Sequence, residues 1–77
     1  MFDFGQAITE LKAGNKVARS GWNGKGMHLE IADVSDVYHD NGLKLDAFIY
    51  MKTSGNTMVP WLASQTDVLA EDWQIVD

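Results

Sequence analysis

Lys16-Val17-Ala18-Arg19-Ser20-Gly21-Trp22-Asn23-Gly24-Lys25-Gly26-Met27-His28-Leu29-Glu30-Ile31-Ala32 is the stretch that decides the architecture of this chain. Residues 16–19 are short and partly apolar and read as a strand. Residues 26–32 alternate strictly, with Met27, Leu29 and Ile31 facing one way and His28 and Glu30 the other, the period of a half-buried strand. Gly21, Gly24 and Gly26 between them cannot be the interior of a regular element. Asn23-Gly24 is the strongest short turn signal a sequence carries. Two strands joined by a glycine-rich turn begin an antiparallel sheet.

Upstream, Phe4, Ala7, Ile8 and Leu11 fall at i, i+3, i+4 and i+7, one apolar stripe at helical period. Asp3 precedes them in the position of an N-cap, and Gly14 follows where a left-handed C-terminal cap is wanted. These signals predict a helix over residues 3–13. Downstream, residues 45–52 are rich in strand formers and apolar on both sides, which suggests burial on both faces or one face against a partner. Residues 53–57 read as a hairpin loop, Met58-Val59 as its returning strand, and Pro60 as the stop, because proline cannot donate to a ladder. Ser64-Gln65-Thr66-Asp67 has the shape of a capping box. It predicts a short helix over residues 64–70 that exposes Glu71 and buries Val68 and Leu69. Residues 73–76 alternate as a last strand. Residues 33–41 are a polar, acidic connection that ends in the turn Asp40-Asn41-Gly42. The expected class is α+β: a small, mainly antiparallel sheet with an N-terminal helix and a short second helix, in one domain over residues 1–77.

Composition narrows the function. The chain has 77 residues, six Lys and Arg against eleven Asp and Glu, and a formal net charge of -5. Scattered basic residues on an acidic chain give no patch for duplex nucleic acid. No apolar run is long enough to span a bilayer. Met1-Phe2-Asp3-Phe4 lacks the positive start and apolar stretch of a signal peptide, so the expectation is a cytoplasmic protein that does not bind membranes. The absence of cysteine removes disulfides, thiolate zinc sites and a cysteine nucleophile together. A domain of this size has a modest core, and with disulfides excluded, subunit association is the favoured remedy.

The residues show no catalytic constellation. His28 and His39 are far apart, no serine sits in a nucleophile-elbow context, and Asp33, Asp36 and Asp40 do not follow an oxygen-ligand loop pattern. Those three acids read as a solvated surface, and the chain reads as a non-enzyme with no cofactor and no metal. The three Trp and seven Gly in so short a chain are the compositional oddity. Gly21-Trp22-Asn23-Gly24-Lys25-Gly26 offers an aromatic plate, an amide, an ammonium and the backbone N–H groups of an anion nest. The same residues also suit a tight hairpin with Trp22 folded into the core, and both readings stand. Ser64, Gln65, Thr66 and Asp67 collect hydroxyls, an amide and a carboxylate at a helix start. Trp73 reads as core.

Residues 4–7, 11–14, 17–27, 59–67 and 70–73 resemble the second Thoeris anti-defence family of phage and prophage proteins; residues 33–45 have no match. The resemblance implies a protein that binds an immune signalling nucleotide and holds it without cleavage. The ligand implied is the glyco-cyclic ADP-ribose made by a TIR-domain enzyme, and for some members related cyclic oligonucleotides. It also implies a homotetramer with ligand pockets between protomers. On that reading Trp22 stacks on the base, Arg19, Asn23 and Lys25 contact ribose and phosphate, and Ser64, Gln65, Thr66 and Asp67 supply polar partners from the other block. Arg19 in a structural ion pair with Asp67 or Glu71 is the competing role for that residue. The competing functions are a module that blocks a defence protein directly and a structural phage subunit.

Overall fold

The computed structural model describes residues 1–22, 24–34 and 37–77. The elements run α1 (Phe4–Lys12), β1 (Lys16–Arg19), β2 (His28–Ala32), β3 (Phe48–Lys52), β4 (Met58–Pro60), α2 (Gln65–Leu69) and β5 (Trp73–Val76). The strands form an open five-stranded sheet in the order β4-β3-β2-β1-β5, antiparallel throughout. The class is the expected α+β.

Both helices start as their caps dictate. Asp3 accepts the Gln6 N–H at 2.9 Å, and Gly14, at φ 93°, takes the left-handed turn that ends α1. Ser64 and Asp67 close both arms of the capping box of α2. The alternation of residues 27–31 holds, with Leu29 fully buried. Register lines up Val59, Met51, Leu29, Val17 and Ile75 on one face of the sheet, because directly paired residues share a side. Helix α1 covers the middle of that face with Ala7 and Leu11.

The core is small and aromatic. Trp73 has no exposed surface, as its sequence position suggested. Around it stand Phe4, Trp22 and Trp61, with ring centroids 5.5, 5.5 and 6.0 Å away and tilted or edge-on planes. Such geometries add about 0.5–1.5 kcal/mol each beyond the area they bury. Phe2 bridges Trp73 through two backbone hydrogen bonds of 2.8 and 3.0 Å, so the segment before α1 extends the β5 edge.

Several expectations are corrected. Residues 45–47 lie outside β3, which begins at Phe48, and its residues are half-buried or exposed instead of covered on both sides. Strand β2 begins at His28, not Gly26, and the β1–β2 connection is too long to be a tight hairpin. Val68 and Leu69 are exposed, 44% and 75%, because α2 spans five residues and seats its start, not its end, against the sheet. The connection 33–47 carries its own small ribbon. His39 N–H donates to Leu43 O, Leu45 N–H donates to Val37 O, and Tyr38 bridges Lys44. Its residues 37–47 are all exposed.

Candidate functional site

The antiparallel order puts the β1–β2 loop, the start of β5 and α2 at one end of the sheet, where Arg19 pairs with Trp73 in register. Arg19 leaves the last position of β1 and reaches two carboxylates. Its Nε donates to Asp72 Oδ1 at 2.9 Å and its Nη1 donates to Asp67 Oδ1 at 3.0 Å. The planar fork of a guanidinium can satisfy two acids at once, which an ammonium does poorly. The other oxygen of each acid is also used. Asp72 Oδ2 accepts the Ser20 hydroxyl and the Gly21 N–H at 3.2 and 3.3 Å. Asp67 Oδ2 accepts the Ser64 N–H and hydroxyl at 3.0 and 2.8 Å, and the Asp67 carbonyl accepts the Trp73 indole N–H at 3.0 Å. The first turn of the glycine loop, the start of α2 and the core tryptophan are thus one bonded unit.

The charges are tuned accordingly. The Arg19 N–H holds the Asp72 carboxyl below the usual carboxylate range, with help from Gly21 and Ser20. Burial pushes Asp67 upward, but the Ser64 N–H and hydroxyl together with Arg19 outweigh it and leave the carboxyl below its ordinary value. Arg19 is held more firmly charged by Asp72 and Asp67. On the opposite face of the sheet, the Tyr50 hydroxyl donates to Glu30 at 2.6 Å, and that bond raises the tyrosine.

The eight sequence-predicted residues are distributed unevenly over this unit. Arg19, Ser64 and Asp67 are inside it, and Thr66 joins through its hydroxyl, 2.8 Å from Ser64 Oγ. Trp22 is half-buried with one edge against Trp73, so part of the ring is core and part faces out. Lys25 and Gln65 are exposed and stand apart from the network. Asn23 lies outside the described residues. Asp72 was missed, and the ion pair joins Arg19 to Asp67 and Asp72, not to the exposed Glu71. The signal for Asp72 was its place one residue before the strand that Arg19 pairs with, which only the register reveals. Among the described residues no group of acids, histidines or cysteines could hold a metal, and no helix of the model is long and apolar enough to cross a membrane. The described residues of one protomer enclose no cavity. The site is an open surface bounded by Trp22, Arg19 and the start of α2.

Residues 2–76 match the Thoeris anti-defense 2-like domain family. A curated protein named Thoeris anti-defense 2, from Bacillus phage SP01, is 43% identical over 82 aligned residues, which take in 95% of this chain and 92% of that protein. The match runs across α1, all five strands and both halves of the Arg19 network, and the chain belongs to the Thoeris anti-defense 2-like family.

Proposed function

We propose that this protein is a Thoeris anti-defence sponge: it binds the glyco-cyclic ADP-ribose signal and withholds it intact, with related cyclic oligonucleotides as further ligands. The observation that carries the reading is the Arg19–Asp67–Asp72 network, which draws the glycine loop and the start of α2 to one end of the sheet with a partly exposed Trp22 beside them. Trp22 is the base plate, and Arg19, Asn23 and Lys25 face ribose and phosphate. Ser64, Gln65, Thr66 and Asp67 complete the polar contacts. Arg19, Ser64 and Asp67 serve partly by holding shape, since their strongest bonds are to one another. The name of the phage relative adds the pathway. Sequestration asks for multipoint contact and no nucleophile, so the protein acts without catalysis and without a cofactor, in the cytoplasm of the infected cell.

An open surface needs a second wall to keep a nucleotide out of solvent. Exposed apolar side chains supply candidates for it: Leu62 is 91% exposed, Leu69 75% and Leu43 66%. Burying such residues between copies supplies the stability a small core lacks. The reading therefore includes a homotetramer with shared pockets. The test is to mix the purified protein with glyco-cyclic ADP-ribose, measure the free ligand after ultrafiltration, and heat-denature the retained fraction. Depletion of the ligand and its return intact are expected. Recovery of a cleaved product makes the protein an enzyme, and no depletion together with a complex with a host defence protein makes it a blocking module. Open-ended oligomers that bind no nucleotide make it a structural subunit.

A further inference from the structure

A second group of polar residues sits at the same end of the sheet but on the other side of the glycine loop. His28 and Lys52 are directly paired across β2 and β3. Their side chains leave the face opposite Leu29 and Met51, and so opposite α1. The loop bends back over them. A Cβ on Gly24 would run into the Met27 thioether, and its next neighbour would be the Ser54 side chain at 3.3 Å. The absent side chain lets the loop lie against the β3–β4 turn. That turn is itself braced: the Thr53 N–H donates to Thr57 O at 2.9 Å, and the two threonine hydroxyls are 2.6 Å apart.

The convergence is on Gly26. It has φ 76°, open only to glycine at low cost, and a Cβ there would lie 3.1 Å from Lys52 Nζ. The Gly26 carbonyl can only accept, so His28 Nδ1, 3.2 Å away, donates to it. That bond turns the Nε2 edge of the ring away from the loop. Lys25 adds a second ammonium on the adjacent residue. Among the described residues Arg19 is the basic side chain found in ion pairs, and its partners Asp67 and Asp72 belong to the other side of the loop. Glu30, two residues from His28 on the same strand, is engaged by Tyr50. Lys12, Lys16 and Lys44 are also without ion pairs, but none of them meets a second cation over a glycine backbone.

We infer that Lys52, Lys25 and the outward edge of His28, gathered over Gly26, form an anion site for a phosphate or pyrophosphate group, separate from the Arg19 network. Lysine binds phosphate as a point charge without the geometric demand of arginine. On a chain of net charge -5, a local group of two ammoniums is a site that general acidity does not neutralise, because opposite charges more than a Debye length away are screened. The phosphate has two sources: the pyrophosphate of a nucleotide that reaches across the loop from Trp22, or a second molecule bound on its own.

The test is a titration of the isotope-labelled protein with inorganic pyrophosphate, followed by two-dimensional NMR. Shifts on the amides of Lys25 and Gly26 and on the ring of His28 are expected. Lys52→Gln should weaken the apparent Kd at least fivefold, and Lys52→Arg should retain most of it. The strand amides in the same spectra report that each variant is folded. Adding glyco-cyclic ADP-ribose to the pyrophosphate-loaded protein separates the sources: displacement means one ligand spans the loop, and independent binding means two. Shifts centred on Arg19, or a pyrophosphate affinity unchanged in Lys52→Gln, overturn the inference. It does not depend on the sponge reading, since pyrophosphate alone is the probe.

Discussion

Trp22→Ala separates the two jobs that one indole performs. The ring is half-buried and packs its edge on Trp73 at 5.5 Å with an interplanar angle of 79°. A tryptophan buries about 150–250 Å² when covered, so half of that is roughly 75–125 Å². At about 25 cal/mol per Å² this burial contributes roughly 2–3 kcal/mol, as an upper estimate. The edge contact brings the total to about 3 kcal/mol. For a domain of this size each kcal/mol moves the melting temperature by about 4–8 °C, so a fall of about 12–24 °C is expected. The exposed part of the ring has a different consequence. Base stacking on an aromatic plate contributes about 1–3 kcal/mol, which converts to a loss of about 5- to 140-fold in affinity. Calorimetric titration with glyco-cyclic ADP-ribose at a temperature where circular dichroism shows the variant folded measures the second effect, and thermal melting measures the first. Trp22→Phe keeps a smaller plate and should recover part of both. A variant that melts early but binds within twofold of the parent refutes the stacking role. One that melts normally and binds weakly refutes the packing argument.

Arg19→Lys keeps the charge but cannot reach Asp67 and Asp72 together, so melting should fall and the Gly21 amide should lose protection in hydrogen exchange; unchanged exchange would show that the fork is not what holds the loop. The pH response has a definite sign. Asp67 and Asp72 are held below the ordinary value of 3.8, so their contribution is complete above that value and is lost as pH falls through their lowered folded values. Melting temperature should be flat above about pH 5 and drop below about pH 4, and Asp72→Asn should flatten that drop; an acid limb of equal slope in Asp72→Asn would mean other carboxylates cause it. Trp73→Phe leaves the Asp67 carbonyl without its indole donor and opens space in a fully buried site, so denaturant unfolding should show a loss of about 2–4 kcal/mol, and a loss below 1 kcal/mol would mean the site collapses freely.

The elements that could be read in advance are those whose signals are local. Helix α1 was legible because its stripe, its Asp3 cap and its Gly14 stop lie within one short segment. The capping box of α2 was legible for the same reason, since Ser64 and Asp67 are three residues apart. What the helix would cover was not legible. Val68 and Leu69 look like a buried pair by hydropathy, yet a five-residue helix anchored by its first turn leaves its end in solvent. The candidate site divides along the same line. Arg19, Ser64 and Asp67 could be named, and even an Arg19–Asp67 ion pair foreseen, from residue types alone. Asp72 and the indole bond of Trp73 needed the β1–β5 register, which depends on chain ends that meet only in the folded state. The exposed ribbon at residues 37–45 carries no periodic signal strong enough to announce itself.

Asp67 spends every acceptor it has: one carboxylate oxygen on Arg19, the other on Ser64, and its carbonyl on Trp73. That arrangement sets a rule for building chimeras with relatives. A donor segment covering residues 64–72 can be transplanted only together with the β1 end at residues 19–21 that reads it. Exchanged alone, either half carries charges with no counterpart, and the loop and short helix of the hybrid would lose their common anchor even if every individual residue came from a stable parent.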